Sequence, residues 1–154
     1  MKRWTPGELE SLAPILDAIL DREAALVVER MVHAGFLPAD HGLDAQMLFD
    51  WVSAPYAPYL DDEFTFSREW LGRMLAGMID ISGDRAAVVS KINMPASFVI
   101  LDRVVWGVSA LLSKLGASGP YRGILAEYRK GAPPVTELGR QEAAWRAARS
   151  TASG

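Results

Sequence analysis

The chain of 154 residues has no cysteine and only two histidines, His33 and His41. The missing cysteine excludes disulfides and thiolate metal sites and fits a reducing compartment. With so little histidine, a transition-metal centre would have to gather Asp40, His41 and Asp44 of "DHGLD" around His33, and that spacing follows no recognisable ligand pattern. His33 falls in the last turn of a predicted helix, where positive charge is favoured, and Asp44 reads as a helix cap. No metal is therefore expected. Charge of one sign is also scarce: 19 acidic residues face 16 basic ones, for a net charge of -3. A nucleic-acid binder usually carries a basic face, so that class is demoted. The opening "MKRWTPGELE" lacks an apolar signal region, and no secretory leader is expected. No alternating run of β-branched residues is bounded by hairpin turns, and no repeat of fixed period occurs.

What is present is apolar and helical. Half the residues are hydrophobic and 23% are charged, the balance of one soluble globular domain able to bury about 70% of its unfolded surface. Thr5, Pro6 and Glu8 read as cap, first turn and capping box of a first helix, with Trp4 and Leu9 as its staple. Leu9, Leu12, Leu16 and Ile19 form its expected apolar face, and Pro14 should kink or interrupt it. A second helix from about Asp21 carries Ala24, Val27, Val28 and Met31 and ends at Gly35. Asp44 caps "AQMLFDWV", which breaks at Pro55 and Pro58. Ser67 caps a further helix, with Phe66 and Leu71 as staple and Glu69 near its positive end. A short helix follows Asp84, and "YRGILAEYRK" makes another after Pro120. Beyond the linker "GAPPV", the charged stretch "TELGRQEAAWRAARS" predicts a peripheral terminal helix. The expected fold is all-α, a compact bundle of about six to seven helices. Residues 1–131 form the module, and 132–154 a linker, peripheral helix and tail.

The most apolar stretch is "NMPASFVILDRVVWGVSALLSKLGA", opened by Pro95 and closed by Gly116. It nearly has the length of a membrane span, but Asp102 and Arg103 would each cost roughly 2.5–3.5 kcal/mol in a bilayer. Phe98, Leu101, Val105, Val108, Leu112 and Leu115 form one stripe at helical spacing, widened by Ile100, Val104 and Leu111. A helix apolar on most sides belongs inside a bundle, so this one is expected to be buried. Its least apolar strip holds Arg103, Gly107, Ala110 and Lys114. Asp102 and Arg103 point about 100° apart and cannot pair with each other along their helix. They are candidate structural or binding charges, with interhelical bracing or a place at the rim preferred over a ligand role.

Catalytic chemistry is sparse. Asp61, Asp62 and Glu63 in "YLDDEF" read as a solvated turn before a helix start rather than an acid–base pair. Five tryptophans, Trp4, Trp51, Trp70, Trp106 and Trp145, fall mostly on apolar helix faces and read as core. The serines have no nucleophile elbow around them, and "GASG" follows no strand that would make it a phosphate loop. No catalytic and no cofactor-binding residue is assigned.

Four segments, in order, carry a resemblance: "AGFLP", "DEFTFSREWLGRML", the central apolar stretch and "YRGILAEY". Together they resemble the C-terminal part of UbiB/AarF-type atypical kinases, nearest to actinobacterial members. Phe64, Phe66, Arg68, Glu69, Trp70, Pro95, Arg103 and Gly107 occupy the matching places. The opening helices resemble those after the family's metal-binding Asp-Phe-Gly, so the likeness runs from about Arg3 to Tyr128. It implies part of a protein-kinase-like C-lobe and a family with ATP-dependent activity linked to isoprenoid quinone or lipid metabolism. The nucleotide-binding and catalytic groups that phosphoryl transfer requires have no counterpart here. The resemblance thus implies a non-catalytic module, truncated or split, that would meet ATP and Mg only through an upstream half. The implied partners are that half or a second copy, with no nucleic acid. The implied location is cytoplasmic, with peripheral membrane contact allowed and no transmembrane span. The alternative is a stand-alone helical module that engages a partner protein or an apolar ligand.

Overall fold

Short polar side chains start several of the helices. Asp44 Oδ1 accepts the Met47 N–H at 2.9 Å, Ser67 Oγ accepts the Trp70 N–H at 3.1 Å, and Thr136 Oγ1 accepts the Gly139 N–H at 3.0 Å. Each satisfies a backbone donor that the first helical turn leaves orphaned. Ends are set by glycines in left-handed geometry, which a side chain would strain: Gly35 at φ 77°, Gly116 at φ 63° and Gly131 at φ 65°.

The computed structural model describes residues 6–79, 84–93 and 96–152. Thr5, Trp4 and Pro95 lie outside them, as do the side chains of Glu8, Leu9, Phe98, Ile100, Leu101 and Asp102. Among the described residues the fold is all-α. The helices are α1 (Pro6–Leu20), α2 (Ala24–His33), α3 (Ala45–Ser53), α4 (Arg68–Ile79), α5 (Asp84–Lys91), α6 (Ala96–Leu115), α7 (Tyr121–Lys130) and α8 (Glu137–Ala152). A 3-10 helix, Ala54–Tyr59, extends α3 where Pro55 and Pro58 stop the α-helix. The eight α-helices among the described residues include the short α5 and the peripheral α8, both expected from the sequence.

Of the two outcomes expected at Pro14, a kink or an interruption, the interruption does not occur: α1 runs through it. Pro14 and Glu10, whose carbonyl loses its i+4 donor, are both exposed, so water can satisfy that carbonyl. A minimal antiparallel strand pair also exists, β1 (Phe64–Thr65) with β2 (Ser118–Gly119). Gly116 turns the chain back after α6, and Ala117 then accepts the Phe66 N–H at 2.8 Å. Thr65 and Ser118 join their hydroxyls at 2.8 Å.

The main core gathers Ile15, Ala18 and Ile19 from α1, Val27 and Met31 from α2, Leu48 and Phe49 from α3, and Val88 from α5. Leu48 and Val27 are fully buried, each worth about 1.5–3 kcal/mol of transfer free energy. A second cluster is aromatic. Buried Phe66 meets Phe64, Trp70 and Tyr121 edge-on, with centroids 4.9 to 5.3 Å apart, the geometry the ring quadrupoles favour. That cluster ties β1, α4 and α7 together. At the end of the 3-10 helix, the Leu60 carbonyl accepts from both Arg22 and Arg122 at 3.0 Å. Asp17 on α1 pairs with Arg129 and Lys130 on α7, at 3.2 and 3.0 Å.

Candidate functional site

α1 shows how a site arises from a helix that is apolar over a wide arc. Ile15, Ala18 and Ile19 enter the core, whereas Leu12 and Leu16 remain half-buried. These two leucines form one wall of an open cleft of about 610 Å³. α3 and the 3-10 helix line it through Met47, Trp51, Val52, Pro55 and Tyr56. Met31, Phe36 and Val88 also line it, with Met74 of α4 and Trp106 of α6; of these Met31, Val88 and Met74 are buried. Asp44, Gln46, Asp50 and Arg73 are its polar residues.

Size and lining are those of a small-molecule site, which typically encloses about 300–1,000 Å³ of mainly apolar wall with a few polar groups. Three methionines, Met31, Met47 and Met74, supply flexible and polarisable surface that adapts to varied shapes. Trp51, Tyr56 and Trp106 offer flat apolar area with polar tips. The carboxylates are engaged locally. Asp44 caps α3, and Asp50 accepts from Gln46 Nε2 at 2.7 Å. Both are exposed, so they line an entrance rather than form a buried acid–base pair. What the arrangement can do is bind an apolar body and hold a polar end at the mouth.

The histidines and the acidic run take no part. His33 is exposed at the end of α2, and His41 Nδ1 accepts the Leu43 N–H at 2.9 Å within its loop. Among the described residues, no three His, Asp or Glu side chains gather as a metal would need. Asp61, Asp62 and Glu63 are exposed, with Asp61 bonded to Arg22, so they form a solvated turn. The tryptophans do not all serve as core. Trp70 joins the aromatic cluster, Trp51 and Trp106 face the cleft, and Trp145 is exposed on α8 under the Arg149 guanidinium. Arg103 lies on the exposed side of α6, apart from the cleft residues, while the Asp102 side chain lies outside the described residues.

The expected burial of α6 is corrected more sharply. Its inward face carries Ser109 and Ser113, 5% and 3% exposed, and the Ser113 hydroxyl has no hydrogen-bond partner among the described residues. Its outward face carries Val104, Val108, Leu111 and Leu115, exposed at 57%, 49%, 64% and 79%. Among the described residues no helix is long and apolar enough to cross a membrane.

No protein-family model, curated protein or solved structure matches this chain.

Proposed function

We propose that this chain is a non-catalytic helical module that binds an apolar small molecule in the cleft between α1, α3, the 3-10 helix, α4 and α6. The observation that carries this reading is the cleft itself, with methionine and aromatic walls and its few polar groups at the mouth. The direct test is titration with the neutral fluorophore N-phenyl-1-naphthylamine, read by its emission and by quenching of Trp51 and Trp106. Saturable one-to-one binding is expected, weakened at least tenfold by Ala54→Trp, which fills the cleft from the 3-10 helix. Absence of saturable binding, or binding indifferent to that substitution, contradicts the reading.

A second reading makes the chain the C-terminal part of a UbiB/AarF-type kinase-like protein that works with an upstream half. It is supported by the packing of the resembling segments: Phe64, Phe66 and Trp70 of "EFTFSREW" close on Tyr121 of "YRGILAEY" as one unit. On this reading the isolated chain binds no Mg-ATP. Thermal unfolding with millimolar Mg-ATP is then flat, whereas a ligand at a hundred times its dissociation constant would stabilise by about 2.7 kcal/mol.

A further inference from the structure

α6 is turned inside out relative to its composition. Successive residues advance 100° around a helix, so Val104, Val108, Leu111 and Leu115 fall within a strip about 60° wide on the exposed side. Their spacing of four, three and four is that of a coiled-coil seam, the pattern that one helix presents to another. On the order of 400 Å² of apolar side chain is exposed there, the size of the largest apolar patch on a typical monomer, which is often functional. Gly107 lies beside the strip, and a Cβ built on it meets nothing within 4 Å, so another backbone can come close.

The order of residues identifies the occupant. About a centre midway between Ser109 and Ala110, the strip is its own reverse with valine and leucine exchanged: Val104 faces Leu115, and Val108 faces Leu111. Every contact in an antiparallel pair of such strips therefore joins a small β-branched side chain to a larger one, which fills the seam evenly. We propose that this face pairs with the same face of a second copy, α6 against α6 in antiparallel order, forming a reversible homodimer. With Gly107 included, each copy would bury on the order of 450 Å², well below the ~800 Å² per partner of a standard interface and in the range of weak, transient ones. The affinity is accordingly modest. Symmetry also sets Arg103 of one copy near Lys114 of the other along a single solvent-exposed edge, a repulsion that salt screens.

Sedimentation equilibrium from low micromolar to millimolar concentration tests this on the full chain. A monomer–dimer equilibrium is expected, weakened at least tenfold by Leu111→Glu. Val104→Lys should weaken it independently, and both positions are exposed enough to leave the fold intact. Lys114→Glu replaces the repulsion with two exposed ion pairs and should tighten the dimer about threefold to tenfold, and added salt should tighten the wild type. A wild type that stays monomeric, or a dimer untouched by both apolar substitutions, overturns the proposal. Weakening by Lys114→Glu overturns the antiparallel order. Because the cleft faces away from this strip, loss of fluorophore binding by Ala54→Trp with dimerisation intact separates the two sites.

Discussion

α3 and α6 are both rich in apolar residues, yet they use them in opposite ways. In α3, Leu48 and Phe49 enter the core while Asp50 and Gln46 remain outside, so the polar positions point to water. In α6, two serines enter and two valines and two leucines remain outside. A single buried layer accounts for α3. α6 has apolar surface on more sides than this fold can cover, and the surplus is what a second helix would meet. An apolar count thus measures how much surface a helix must hide, not where it is hidden.

Substitutions can break or sharpen that contrast. The largest effect is expected in the aromatic cluster: Phe66→Ala should cost about 3–5 kcal/mol in denaturant unfolding, since the ring joins β1, α4 and α7. Leu48→Ala in α3 should cost about 2–5 kcal/mol, whereas Leu111→Ala in α6 should stay within about 0.5 kcal/mol for the monomer. Equal costs at the two leucines would erase the difference between the helices.

Ser113 sharpens it further. Its hydroxyl is buried without a partner among the described residues, and a buried unsatisfied polar group costs about 1–3 kcal/mol. Ser113→Ala should therefore be neutral or stabilising by roughly 1 kcal/mol, also favouring the helix by propensity. A clear loss of stability in chemical denaturation would mean that the hydroxyl makes a hydrogen bond.

The smallest effect concerns Asp17, where α1 meets α7. Burial pushes its carboxyl up, but hydrogen bonds and charge from Lys130 and Arg129 outweigh that and leave it below the usual value. A carboxyl depressed in the folded state binds its proton less readily there than in the unfolded chain. Its contribution is thus complete above the unfolded pKa of about 3.9 and is lost as the pH falls through the folded value. Because the group is partly exposed, that contribution is about 0.2–1 kcal/mol. Asp17→Asn should lower stability by this amount at pH 7, with the difference narrowing towards pH 3; a difference independent of pH would remove the ion pair from the account.

Sequence alone indicates the parts of the fold that are local. Asp44, Ser67 and Gly116 act within one helical turn of themselves, so their capping roles could be read from their neighbours. The β1–β2 pair could not, because two residues on each side are too few to show alternation and their meeting depends on the turn at Gly116. The cleft was hidden for a different reason. Leu16, Met47, Tyr56 and Trp106 come from separate elements and are the same residue types that fill a core; only their incomplete burial distinguishes them. In α6 the sequence shows a wide apolar arc, with Val108 and Leu115 in its main stripe and Val104 and Leu111 beside it, but nothing in that spacing says which side of an apolar helix the bundle covers.

The absence of native cysteine allows the inside-out placement of α6 to be measured directly. Single substitutions Leu111→Cys and Ser113→Cys, reacted with a thiol reagent in dilute, monomeric protein, compare the two faces in the same turn of helix. Fast modification in Leu111→Cys with strong protection in Ser113→Cys is the predicted result; protection in Leu111→Cys with free reaction in Ser113→Cys would contradict it.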